Sequence, residues 1–245
     1  MERGNRMDTL HGQTTPAHSN TTPAKARPSL DGATLSPTTL ALIACGTLGG
    51  ILFATVYLIE GATRPGYVAW QQAISALSLG AGGWMQQVNF VLFGALTLCS
   101  VIGWRRALLP GPASLGYPVL KAASGIGLIV DGFFSQDPAP GYPLGAVIGA
   151  PTTHGTIHVI FAFVSITAIA IGDFVLAWRF ATEPRWRIWA LFAALTGVLT
   201  IVFIALFGAT GAHGGIAGVY ERVATGVNSV FGIAVFVRLL LDRRS

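Results

Sequence analysis

The sequence predicts an all-α fold: a polytopic membrane protein built as a bundle of six transmembrane helices, with both termini cytoplasmic. Three observations carry that expectation. Residues of the AVILMFWYC set make up 52% of the chain and charged residues 10%, against about 25% charged in a soluble domain, and the mean hydropathy is +0.62. Apolar runs of about 20 residues, the length a helix needs to cross the hydrocarbon core, recur along the chain. Basic residues collect in alternate connections between those runs.

Residues 1 to 38 are rich in Thr, Pro, Ser, Ala and Gly, with scattered charges and almost no large apolar side chains. Such a segment buries too little surface to offset its ordering entropy and is expected to be a disordered cytoplasmic tail. The six-helix membrane domain then occupies 39–241. Its first apolar run, from Thr39 to about Ile59, is too long for the core of a cleaved leader and is expected to span. Arg64-Pro65-Gly66 predicts a turn. Apolar residues at 70, 73, 74 and 77 have the spacing of a short amphipathic helix lying at the interface, a depth that suits Trp70 and Trp84.

The second span runs from about Gln86 to Trp104 and stops at Arg105-Arg106. A Pro- and Gly-rich loop leads to the third, about Tyr117 to Phe134, where Ser124, Gly125 and Gly127 permit close helix contact. The fourth runs from His154 to Trp178, the fifth from Ile188 to Phe207, and the sixth from Ile216 to Leu240. Gly94, Gly125, Gly197, Gly226 and Gly232 are expected at packing contacts.

Charge sets the orientation. The regions around Arg105, Arg106 and Lys121, from Arg179 to Arg187, and from Arg238 to Arg244 are basic, whereas the alternate loops carry no positive excess. The positive-inside rule therefore puts both termini in the cytoplasm and the loops after spans one, three and five outside. The formal net charge of +5 is explained by these flanking residues. With no basic patch interleaved with aromatics and no zinc-finger spacing, no nucleic acid partner is expected. Cys45 and Cys99 lie within apolar runs and carry no disulfide or metal pattern.

This topology gathers unusual polar residues at the outer end. Asp131, His158 and Glu221 each fall roughly 4 to 8 Å beneath a helix end, and Arg64, Ser75, Ser78, Asp137, His154 and His213 surround the same layer. An outward-facing polar pocket is expected. His154 and His158, four apart on a helix, can offer two nitrogens to a zinc-like ion. Asp131 and His213 are further candidate ligands, and Asp137 is a candidate catalytic base for a metal-activated water. Equally, His154 can cap the fourth span while His158 bonds Asp131 between helices, satisfying both buried groups.

Arg64 and Arg222, with Glu221 beside them, are candidate ligand-binding residues, because arginine makes the bidentate bonds that lipid phosphate or carboxylate favours. Ser75 and Ser78 lack any triad spacing and suit capping. Both histidines on one helical face cannot supply opposite axial ligands to a haem. Asp173, near the inner end of span four, is expected to pair with Arg179 or a neighbouring helix. With charges clustered at one side and no inverted repeat, a transporter is less well supported.

The stretches RPGYVAWQQAISALSLGAGGWMQQVNFVLFG at 64–94, DGFFSQDP at 131–138, HGTIH at 154–158 and GVYERVATG at 218–226 resemble the DUF998 family of prokaryotic multi-pass membrane proteins of unassigned function. The resemblance covers about residues 40 to 240. It implies a six-helix domain in a prokaryotic plasma membrane and transfers no catalytic role. A looser likeness is to the membrane hydrolase superfamily that includes alkaline ceramidases, whose metal sites use Ser, Asp and three His. Ser78, Asp131, His154, His158 and His213 supply those types, although six spans are predicted instead of seven and HGTIH opens the fourth span instead of occupying a final one.

Three functions follow as expectations: binding of a lipid or small amphiphile, metal-dependent hydrolysis of a lipid, and a structural or partner-binding role. Membrane lipids are the expected partners. The cofactor and the oligomeric state are left open.

Overall fold

The computed structural model describes residues 1, 30, 35–111, 113–210 and 215–243. Six long helices follow in order: α1 Pro37–Thr63, α2 Gly83–Ala107, α3 Ala113–Phe133, α4 Thr153–Ala181, α5 Arg187–Thr210 and α6 Ala217–Asp242. Each is long and apolar enough to cross a membrane, and together the described residues form an all-α, six-helix membrane-spanning bundle. Most helices run a turn or so past the predicted apolar limits. Polar residues cap them there: Ser36 accepts from Thr39 N at 3.2 Å, with Pro37 opening α1, and Thr152 accepts from Gly155 N at 2.9 Å to start α4.

Each helix packs against its neighbours in sequence, and α6 returns to α1, so the six form a ring. The α1–α6 seam is the sparsest. Small residues let the ring close tightly elsewhere: a Cβ added at Gly94 would lie 2.6 Å from Gly125 O, and one at Gly197 would lie 3.2 Å from Ala170 O. Gly226 and Gly232 behave differently from the expectation. A Cβ at either would meet nothing within 4 Å, because these glycines face open space instead of a neighbouring helix.

One end of the ring is covered by residues 64–82, which we call the lid. The predicted interfacial helix does not form there. In its place is a short 3₁₀ turn, Ile74–Ser78, all five residues of which are buried. Ile74 and Leu77 pack with Phe53, Tyr57, Tyr67 and Phe90, so the apolar residues turn inward onto the helix ends and leave Trp70 and Trp84 exposed. The opposite end is sealed by Trp104, Leu108, Phe180, Trp186 and Leu239. Leu30, from the stretch expected as tail, is buried among them; its N–H donates to Glu183 and its carbonyl accepts from Trp186 Nε1 at 2.7 Å.

Lys121 is not in a loop. It sits two turns inside α3, since that helix starts at Ala113 and carries Pro118 in its early turns. A charge counted with the loop is thus placed within the span.

Candidate functional site

The lid is held by residues that were expected to meet a ligand. Arg64 forms an ion pair with Glu60 and donates to Gly82 O at 2.8 Å, closing the base of the lid. Arg222 donates to Gln72 O at 3.0 Å, Gly218 O at 2.9 Å and the Tyr67 hydroxyl at 2.5 Å. Its guanidinium also faces the Tyr57 and Tyr67 rings at 5.8 and 5.7 Å. The Tyr67 hydroxyl in turn donates to Ala73 O at 2.8 Å. Burial pushes this phenol up to about 12, against the lowering effect of the Arg222 cation. Glu221 Oε2 accepts from Ile74 N at 2.6 Å. Both guanidinium groups and this carboxylate therefore serve the lid's own backbone.

Ser75 donates to Gln136 Oε1 at 2.5 Å, and Ser78 to Ser75 O at 2.6 Å. Asp137 lies outside the ring. Its carboxylate accepts from Thr152 N at 2.9 Å and Thr152 Oγ1 at 2.6 Å, anchoring the start of α4. Those hydrogen bonds, first the side-chain one, hold its pKa below the usual carboxylate range.

The two histidines part company. His154 is exposed and places Nδ1 3.2 Å from Ser135 O, whereas His158 is buried and places Nδ1 2.7 Å from Phe134 O. A carbonyl only accepts, so each Nδ1 carries a proton and donates it to backbone. His158 Nδ1 is also 3.5 Å from Asp131 Oδ1. That proton goes to Phe134 O, and Asp131 Oδ1 has no hydrogen-bond donor. The fastening bond expected between Asp131 and His158 is therefore a proximity only. Among the described residues, no group of three or more His, Cys, Asp or Glu side chains stands together to hold a metal ion. His213 lies outside the described residues.

What the structure does bring together is a partly open cavity of about 210 Å³ within the ring, lined by residues of all six helices and the lid. At the lid end its wall carries Asp131, His158, Glu221, Ile74 and Ser75. Next comes an apolar belt of Phe53, Phe90, Phe93, Leu128, Ala162 and Ala224. Thr47, Thr97, Ser124, Ser165, Asn228 and Ser229 form a middle layer of small polar groups. Lys121 and Asp173 follow, above a floor of Ile43, Trp104, Leu176 and Val235. His158 and Asp173 are fifteen residues apart on α4, so the cavity reaches about 22 Å along the bundle axis.

Two of these groups were not expected here. Asp173, expected to pair with Arg179 or a neighbouring helix, interacts electrostatically with Lys121 of the neighbouring α3, and it is buried and lines the cavity. Lone charges inside apolar runs were the available signal, since ionisable residues within spans usually face a bundle interior. The aromatic belt carried no such signal, because phenylalanine is common throughout membrane helices.

A family model described as protein of unknown function (DUF998) matches residues 47–238. The chain belongs to the DUF998 family. The match covers most of α1 and all but the last residues of α6, and within it lies every cavity-lining residue of this DUF998 protein except Ile43 and Gly46. No curated protein and no solved structure matches the chain.

Proposed function

We propose that this chain binds an elongated amphiphile inside its helix ring, with the polar end of the ligand at the lid. The supporting observation is the cavity itself, narrow and long, with apolar belts between layers of polar groups. Small-molecule sites are mostly apolar hollows with a few placed polar groups, and this one lies within reach of membrane lipids. The expected head-group contact moves inward in this reading, from Arg64 and Arg222 to Asp131, His158 and Glu221. The family resemblance implies a prokaryotic plasma membrane, and the basic connections favour both termini in the cytoplasm with the lid end outside.

The test is a comparison of what the wild type and Gly232→Phe retain through purification. Gly232 lines the cavity and has open space at its Cβ position, so a side chain there starts into the hollow without its Cβ meeting a neighbouring helix. Mass spectrometry of extracted material is expected to show an amphiphile in the wild type that Gly232→Phe loses. Identical profiles would sink the proposal.

A further inference from the structure

Among the described residues, each acidic side chain of the six helices has a cationic partner except Asp131. Glu60 is bonded to Arg64, Glu221 interacts with Arg222, and Asp173 interacts with Lys121. Asp131 is 2% exposed, and the charge acting on it is the like charge of Glu221. Its neighbour His158 gives the Nδ1 proton to Phe134 O, as described above, which leaves Asp131 Oδ1 without a donor. A lone carboxylate in an apolar interior is expensive unless it takes up a proton or a positive partner is supplied, so a cation that enters this end can replace that proton as its counter-charge.

An aromatic cluster lines the same cavity and reaches the carboxylate through His158, whose Nδ1 is 3.5 Å from Asp131 Oδ1. The Phe53 ring lies 5.2 Å from Phe90 and 5.0 Å from Phe93, and Phe90 meets the His158 ring edge-to-face at 6.3 Å. All three phenylalanines line the same cavity as Asp131. A carboxylate and several aromatic rings in one cavity are the chemistry that recognises an organic ammonium ion: the anion supplies the counter-charge, and ring quadrupoles attract a poorly hydrated cation. An anionic head group would meet two carboxylates at this end.

We infer that the lid end of the cavity selects a lipophilic cation, an amine or quaternary ammonium with an apolar tail, with Asp131 as its counter-charge and Phe53, Phe90 and Phe93 as its wall. The inference rests on the proposed amphiphile site and assigns its ligand class.

The test uses the full chain in nanodiscs, with empty nanodiscs as the blank. Decyltrimethylammonium and decyl sulfate, which share a tail and differ in charge, are titrated below their micelle concentrations. The cation is expected to bind saturably and roughly tenfold or more tighter than the anion, a difference of about 1.4 kcal/mol or more. Asp131→Asn should erase that preference, Phe90→Leu should weaken the cation several-fold, and Gly232→Phe should abolish binding. Equal or better binding of decyl sulfate, blocked by Gly232→Phe, would overturn the cation assignment and leave the cavity site standing. Unchanged cation binding in a folded Asp131→Asn would overturn the role of Asp131. Absence of saturable binding by either probe would overturn both readings. The wild-type comparison of the two probes decides the charge preference even where Asp131→Asn fails to fold.

Discussion

The backbone N–H of Ile74 donates to Glu221 Oε2 at 2.6 Å, joining the lid to α6 across 147 residues of sequence. One turn of α6 thus grips the lid from two sides, since the adjacent Arg222 holds Gln72 O and the Tyr67 hydroxyl. The lid is a separate stretch of irregular backbone, and such backbone persists at membrane depth only where protein groups satisfy it.

Glu221→Ala is expected to strand the Ile74 N–H, which is buried with its residue. An unsatisfied buried donor costs about 1–3 kcal/mol. Glu221→Gln keeps an acceptor and should lose less. Thermal unfolding in detergent, with limited proteolysis reporting on residues 64–82, distinguishes the two; equal stability of Glu221→Ala and wild type would show that the bond contributes nothing.

Tyr67 ties stability to alkaline pH. Its folded pKa of about 12 lies above the ordinary value of 10.0, so the unfolded chain releases this proton first as pH rises. The contribution is complete below pH 10 and is lost progressively between about 10 and 12, on the order of 2–3 kcal/mol in all. Tyr67→Phe cannot titrate. Stability measured from pH 8 to 12 should fall more steeply for wild type than for Tyr67→Phe, and parallel curves would refute the linkage.

Asp137 acts at the opposite limit. Its pKa is depressed by Thr152, so its anchoring of α4 is present above the ordinary carboxylate range, about pH 4, and disappears as pH falls through the lower folded value. Asp137→Asn should therefore melt below wild type at pH 7, and the gap should narrow as the pH falls through the lowered folded value. A gap that does not narrow at all on acidification would mean that the carboxylate charge is irrelevant.

Two glycines make opposite predictions. Gly94→Ala drives a methyl to 2.6 Å from Gly125 O and 2.7 Å from Ile129 Cγ1, an overpacking that costs about 1–3 kcal/mol. Gly232→Ala meets open space and gains helix propensity, so it should be neutral or slightly stabilising. Equal melting temperatures for the two variants would contradict the placement of α2 against α3.

The fold was legible because crossing a membrane imposes a length and a composition that each span displays by itself. The site was legible only in part. Asp131, His158 and Glu221 could be placed at one level by counting residues from helix ends, and all three line the cavity. Arg64 and Arg222 could not be assigned from type alone, since an arginine that meets a phosphate and one that satisfies backbone carbonyls look alike in sequence. Gly226 and Gly232 carried the same ambiguity: small residues mark either a close contact or a hollow.

By itself the sequence determined how many apolar segments there are, where they begin and end within a turn or so, and which charges lie inside them, because hydration and helical rise are properties of each segment alone. Only the tertiary structure decided which faces meet: that the lid folds inward, that Lys121 and Asp173 share a cavity with Asp131, and that His154 and His158 turn to separate carbonyls. Those outcomes depend on the rotation of each helix about its axis. That rotation is fixed by packing against neighbours and by the partners available to each buried polar group, which no single segment carries.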